Sequence, residues 1–334
     1  VNIVSPTGRT ARAPIALRAE GGSFDTFRAN ASVAGTSGDV DYWGGITGLT
    51  SDGYREHSEV RSLYGHANLG WRVSDRIETR FYATALSDNF ELAGSLRLAD
   101  ALANPRAAGR PVTAGPVVID PGPVADDWDR NLDVYRIANL TVIDLGAADL
   151  ELGAWYARRS LDHAITRFAG IIVQGEDEVG ASARLSGTLP FLADQSRWQL
   201  GAIYATSSND AKTFANNSGA RGVLRTQSDQ DSDTLTVYGQ ADLGLTDAVT
   251  LIAGGQYARA VRDVTAVLNA VTGRGEYDQF NPRVGLLVDA APDVQVFGNI
   301  SRSFEAPSLA DLTSGGAFPF APLDPQRATV FEVG

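Results

Sequence analysis

Between Leu63 and Val73 the chain alternates: Leu63, Gly65, Ala67, Leu69, Trp71 and Val73 hold one parity, Tyr64, His66, Asn68, Gly70 and Arg72 the other. Successive side chains of a strand point to opposite faces, so this register gives one apolar and one polar face. From Thr234 the pattern returns, with Leu235, Val237, Gly239, Ala241 and Leu243 set against Thr234, Thr236, Tyr238, Gln240 and Asp242. Residues 77–85, 150–156, 198–204, 249–257, 284–288 and 294–300 keep the same period, and a helical period fits none of them. About fourteen such strands run from near Ile15 to Gly334.

The connections alternate as well. Short ones, rich in the Gly, Asp, Pro and Ser of tight turns, fall at 38–39, 74–75, 146–149, 246–247 and 291–293, at every second junction. Between them lie longer polar stretches at 51–59, 87–130, 161–178, 206–232, 262–276 and 305–326; the first of that set, 21–25, is short. Residues 96–104, inside the longest stretch, have the composition for a helical turn or two. Tight turns at one end and long loops at the other are the pattern of an all-β, antiparallel outer-membrane barrel. A sandwich does not segregate its long connections so regularly, and the repeat of about 40 residues that marks a propeller is not found.

Hydropathy alone points the other way, because no stretch reaches the roughly 18 to 20 apolar residues of a membrane-crossing helix. A barrel strand crosses with about 9 to 11 residues, of which only alternate ones meet lipid, so its mean hydropathy stays near neutral. Trp71, Tyr156, Trp198, Tyr204 and Tyr257 stand near the ends of apolar faces, where amphipathic rings favour the membrane interface. The chain of 334 residues begins at Val1 and contains no Met, so the natural start, with any targeting peptide, is expected outside it. Cys is also absent, which excludes disulfides, thiolate metal sites and Cys nucleophiles. A net charge of -12, with Lys212 the one lysine, argues against a nucleic-acid partner, whose phosphates need a basic footprint.

Three stretches resemble those of TonB-dependent outer-membrane receptors. Asn2-Ile3-Val4-Ser5 is similar to the closing strand of that family's plug domain. Phe24, Arg28, Gly35, Tyr42 and the run Ser51-Asp52-Gly53-Tyr54-Arg55 resemble its first barrel hairpins. Ser301-Arg302-Ser303-Phe304-Glu305-Ala306-Pro307-Ser308, then Leu323-Asp324-Pro325-Gln326 and Phe331-Glu332-Val333-Gly334, are similar to its later barrel. The resemblance implies a barrel of about 22 strands filled by an N-terminal plug. It also implies import of ferric siderophores or other scarce, bulky nutrients with energy from TonB. Residues 1–12 would then close the plug and pass into the barrel, and 13–334 would be part of the barrel itself. Nearly all of the plug, with its TonB-contacting segment, and the last strands are not in this sequence. A passive porin and a structural or adhesive barrel are the alternatives, and a plug carrying a TonB-contact segment is expected only of the importer.

No motif points to catalysis, a resident metal or a cofactor. Asp229, Asp231 and Asp233 have the alternation of a calcium loop, but Thr234 stands where such a loop wants Gly and Gln240 where it wants Glu, so they read as a solvated outward loop. His57 and His163 read as exposed loop histidines and His66 as a lumen residue, and no pair has the spacing of a metal site. Asn30-Ala31-Ser32, Asn139-Leu140-Thr141 and Asn216-Asn217-Ser218 fit the glycosylation pattern, too short to weigh; Gly21-Gly22 and Gly315-Gly316 read as turns. The ligand is expected to arrive already chelated and to be taken from outside by the loops and the wall beneath them. The candidates are Arg159, Arg225, Tyr277 and Gln279, at outward strand ends or in loops. Arg supplies charge-assisted donors to an anionic chelate, Tyr an aromatic face and Gln a neutral hydrogen bond. Parity lets Arg159, Tyr277 and Gln279 face the lumen and leaves Arg225 open.

Overall fold

The structure, a computed structural model, describes residues 5–189, 196–313 and 320–334. Asn2 to Val4 of the opening motif and the Gly315-Gly316 pair lie outside these residues. Strands follow the chain as β1 Ile15–Gly22, β2 Thr26–Ser37, β3 Val40–Ser51, β4 Val60–Ser74 and β5 Ile77–Glu91. A short helix α1, Leu98–Ala103, and a hairpin of β6 Val112–Ala114 and β7 Val117–Asp120 come next. Then come β8 Asp129–Asp144, β9 Ala148–Ala164, β10 Ile171–Thr188, β11 Arg197–Asn217 and β12 Ala220–Thr246. β13 Val249–Ala266, β14 Val271–Ala291, β15 Val294–Glu305, helix α2 Leu309–Thr313 and β16 Gln326–Val333 complete the order.

Fourteen strands form one antiparallel sheet in strict chain order, and β6–β7 form a sheet of two inside the longest connection. This is the all-β barrel wall read from the alternation. Among the described residues the order is open, with β1 paired only to β2 and β16 only to β15.

Exposure follows parity. Along β9, Leu152, Ala154, Tyr156 and Arg158 are exposed, and Gly153, Trp155 and Ala157 between them are not. The face carrying Leu69, Trp71, Val237 and Leu286 is exposed, as a lipid-facing wall requires, whereas Asn68 and Arg80 on the opposite face are buried. That second face is the lumen wall.

Three outward stretches differ from the sequence reading. Residues 206–232 are no loop: β11 and β12 run on, 21 and 27 residues long, to a turn of Ser218 and Gly219. Both turn residues have positive φ, 55° and 86°, which is what a two-residue hairpin needs. Asp229, Asp231, Asp233 and Arg225 are therefore strand residues. Stretches 161–178 and 262–276 likewise shrink to links at 165–170 and 267–270. About 9 to 11 residues cross a bilayer, so these hairpins project well beyond it. Cross-strand hydrogen bonds satisfy the backbone of a polar segment as well as that of an apolar one, so polarity concealed the pairing.

Candidate functional site

Five outward connections are tied to one another. Phe24 O accepts from Asp52 N at 2.9 Å, and the Phe24 and Tyr54 rings meet edge to face at 5.4 Å under the Arg106 guanidinium. Arg55 forks into the longest connection: Nε donates to Ala107 O at 3.0 Å, Nη1 to Gly94 O at 2.7 Å and Nη2 to Ala93 O at 3.1 Å. His57 Nε2 lies 3.0 Å from Trp128 O, and its side chain is only 8% exposed, so it is a packed tie rather than an exposed loop histidine. Further on, Arg167 Nε donates to the fully buried Asp126 at 3.1 Å, and Asn216 Nδ2 donates to Asp126 O and Ile165 O at 2.8 and 2.6 Å. Loops 23–25, 52–59, 92–128 and 165–170 and the 218–219 turn thus make one hydrogen-bonded rim.

The lumen wall beneath this rim is aromatic and polar. Trp43, His66 and Tyr82 neighbour one another across β3, β4 and β5, with ring centroids 5.8 and 6.4 Å apart, and His66 Nδ1 lies 2.9 Å from Thr84 Oγ1. Trp155 occupies the space above Gly180, where an added Cβ would stand 2.0 Å from the ring, and its Nε1 donates to Glu178 at 2.6 Å. Arg136 shares a register row with Thr84, Ala157 and Glu178. It is exposed and makes no ion pair among the described residues, so its donors are open to an anion. The sequence reading did not single out Arg136 or Trp155, and named Arg55 only within the run that resembles a barrel hairpin. Parity along β8 and β9 signals the first two, whereas the Arg55 contacts span up to 52 residues and leave no local mark.

The four candidates do not converge. Arg159 sits on the lumen side of β9, half-buried, with Nη1 3.3 Å from both Gln174 and Glu176. Tyr277 and Gln279 occupy the lumen side of β14, several strands away. Gln279 donates to Asn281 at 2.6 Å and accepts from Arg327 Nε at 2.6 Å. Tyr277 stands beside Arg262 and Asp324. Arg225 donates through Nη1 to Phe168 O and Nη2 to Arg167 O, both at 2.8 Å, so it staples the β9–β10 link to the β11–β12 hairpin. His163 is a strand residue with Nδ1 2.6 Å from Asp129 O.

At the turn end a buried cluster holds the segment that precedes β1. Arg80 grips the fully buried Asp41 through both terminal nitrogens, at 2.9 and 2.8 Å, and also reaches Asn68 at 2.8 Å. Arg9 Nε and Gly8 N donate to the same carboxylate at 3.0 and 3.1 Å, and Asn68 Nδ2 donates to Pro6 O at 2.8 Å. Gly70 permits the pair, since a Cβ there would come within 2.2 Å of the Arg80 guanidinium.

A family model described as TonB dependent receptor-like, beta-barrel, matches residues 3–334. Among solved structures, the siderophore receptor PiuA from Acinetobacter baumannii is similar at 12% identity and a TM-score of 0.75, over 96% of this chain and 54% of that one. The ferric-catecholate import receptor Fiu from K12 E. coli gives 13% and 0.74, over 96% and 55%. The ferripyoverdine receptor of the Pseudomonas aeruginosa outer membrane gives 15% and 0.72, over 95% and 45%. The chain thus spans about half the length of these receptors, and the likeness is one of fold.

Proposed function

The chain belongs to the TonB-dependent receptor β-barrel family, and from that premise we propose that it is the wall of an outer-membrane receptor that captures a ferric siderophore, or a scarce nutrient of like bulk, and imports it with energy from TonB. The observation that carries this reading is a lumen wall bearing the open Arg136 donors and the Trp155 ring, set beneath outward loops tied into one rim. A passive channel needs its loops only to narrow a pore. A receptor needs donors and aromatic faces held still while a large anion docks, because ordering them at the moment of binding costs affinity.

In this reading Arg136 and Arg159 give charge-assisted hydrogen bonds to the chelate, Tyr277 an aromatic face and Gln279 a neutral donor from the opposite wall. Arg225 acts indirectly, by holding the β9–β10 link in place. Residues 1–12 are read as the end of the plug, with Gly8 and Arg9 tied to the Asp41–Arg80 cluster and TonB engaging another segment of the plug. No covalent chemistry is needed, since the iron arrives in its chelate.

Binding of ferric chelates by the full-length protein, followed by tryptophan quenching, tests this. Arg136→Ala and Arg159→Ala are expected to weaken capture about tenfold or more, the scale of a lost charged hydrogen bond. Changes in the turns, Ser74→Ala and Asp247→Ala, should leave it within about twofold, a few tenths of a kcal/mol. Equal losses from turn and lumen changes would rule out capture from outside by this surface.

A further inference from the structure

The lipid-facing wall between β3 and β11 is not uniformly bulky. Two register rows are adjacent on it: Tyr42, Leu69, Phe81, Asn139, Ala154, Ala181 and Tyr204 in one, Gly44, Ala67, Ala83, Ile137, Tyr156, Val179 and Thr206 in the other. Small and large residues exchange rows at β8. Gly44, Ala67 and Ala83 lie outward of the Leu69–Phe81 ridge, and Ala154 and Ala181 lie turnward of the Ile137–Tyr156–Val179 ridge. An oblique trough of about 940 Å³ results. The amide in the first row is internally satisfied: Asn139 Nδ2 donates to Thr79 Oγ1 at 2.8 Å, and its Oδ1 accepts from Thr141 Oγ1 at 3.0 Å. Asn139 therefore presents no unpaired polar group to hydrocarbon.

In the next row outward of the trough stand two further small residues, Gly65 and Ala85. They share a register row with Tyr135 and Arg158, above the Tyr156 ring. Arg158 lies two strands from Ala85, about 10 Å at the usual strand spacing, within reach of a headgroup bridging the gap. Its one ion pair among the described residues is a long one, 3.5 Å to Asp177. The Tyr156 hydroxyl already donates to that carboxylate at 2.5 Å, so turning Arg158 away leaves Asp177 partnered.

We infer that this trough is a fixed lipid site: one acyl chain of a phosphorylated outer-leaflet lipid lies along Gly65, Ala67, Ala83 and Ala154, and its phosphate is received by Arg158. Bulk lipid solvates a convex wall without preference. A trough of this volume with a guanidinium at its outward end selects a chain carrying an anionic head. The site rests on the barrel fold and is independent of what the receptor imports.

The test uses the full-length receptor in mild detergent, stripped of lipid and offered bisphosphorylated lipid A, its dephosphorylated form, or phosphatidylethanolamine, with retention read by native mass spectrometry. Wild-type protein should keep one lipid A through washing. Ala83→Phe with Ala154→Phe should lower retention about tenfold, as steric filling of a cavity does. Arg158→Glu should lower retention of lipid A by a similar factor and leave the dephosphorylated form unchanged. Heat-modifiable migration on gels reports folding of each variant. A second measurement needs no variant: lipid A with a photoreactive acyl chain should cross-link to peptides covering 63–86 and 134–158 more than to 284–300. Even labelling of the wall, or undiminished retention by the folded double variant, would overturn the proposal.

Discussion

Asp41 shows how much one side chain can depend on contacts distant in sequence. It is fully buried, and its carboxylate is held by Arg80, 39 positions away, and by Arg9, 32 positions away. Breaking such a pair from one side leaves a buried charge and costs about 3 to 5 kcal/mol. Arg80→Met is therefore expected to lower the urea midpoint of the full-length barrel strongly. Asp41→Leu combined with Arg80→Met should recover much of the loss, and a double variant no better than the single would refute the pairing. On the other face, Val237 is 38% exposed toward lipid. Val237→Arg should cost about 2 to 4 kcal/mol near the midplane, read from the same unfolding curve, and a cost near zero would place that position elsewhere. The facing of Val237 was legible from parity alone. The Asp41 cluster was not, because parity puts Arg80 in the lumen without naming its partner.

At the scale of elements, hairpins changed most between sequence and structure. The β11–β12 hairpin closes on Ser218 and Gly219 in the left-handed region, and a Cβ on Gly219 would also meet Asp127 at 2.7 Å. Gly219→Val is expected to open that turn and its contact with the longest loop. Amide exchange should speed at 214–222 and 126–128 and stay unchanged at the turn ends; unchanged exchange at 126–128 would show that the loops are not coupled. The Ser-Gly pair was a turn signal inside a polar run, but polarity read as loop outweighed it. Helix α2 carries its own cap: Ser308 Oγ and N donate to Asp311 at 2.7 and 3.1 Å, and Asp311 N returns a bond to Ser308 Oγ at 3.2 Å. The Ser308 hydroxyl, then its amide, hold the Asp311 pKa below its ordinary 3.8. A depressed carboxyl stabilises the folded form above the unfolded value and loses that contribution as pH falls through the folded one. Fraying of 309–313 should therefore set in only below about pH 3.8, as amide exchange can show; fraying already complete at pH 5 would remove the cap's role.

For the whole molecule, the open order of the sheet dominates. β1 and β16 each have one partner among the described residues, and unpaired strand edges are not tolerated in lipid. Residues 1–334 expressed alone are expected to aggregate. Monomeric, heat-resistant insertion of this segment into vesicles would show that these strands close by themselves, and would count against the larger barrel. The sequence by itself determined the antiparallel wall, the facing of its residues and the tight turns that join strands at one end. Each of these follows from a period of two and from local turn chemistry, which are properties of neighbouring residues. Only the tertiary structure decided where strands end beyond the membrane, which loops share a rim, that Arg225 braces a loop and Arg136 stands open, and how small residues on five strands line up into one trough. Those depend on register between strands, which sets what meets across the sheet and is recorded in no single stretch of the chain.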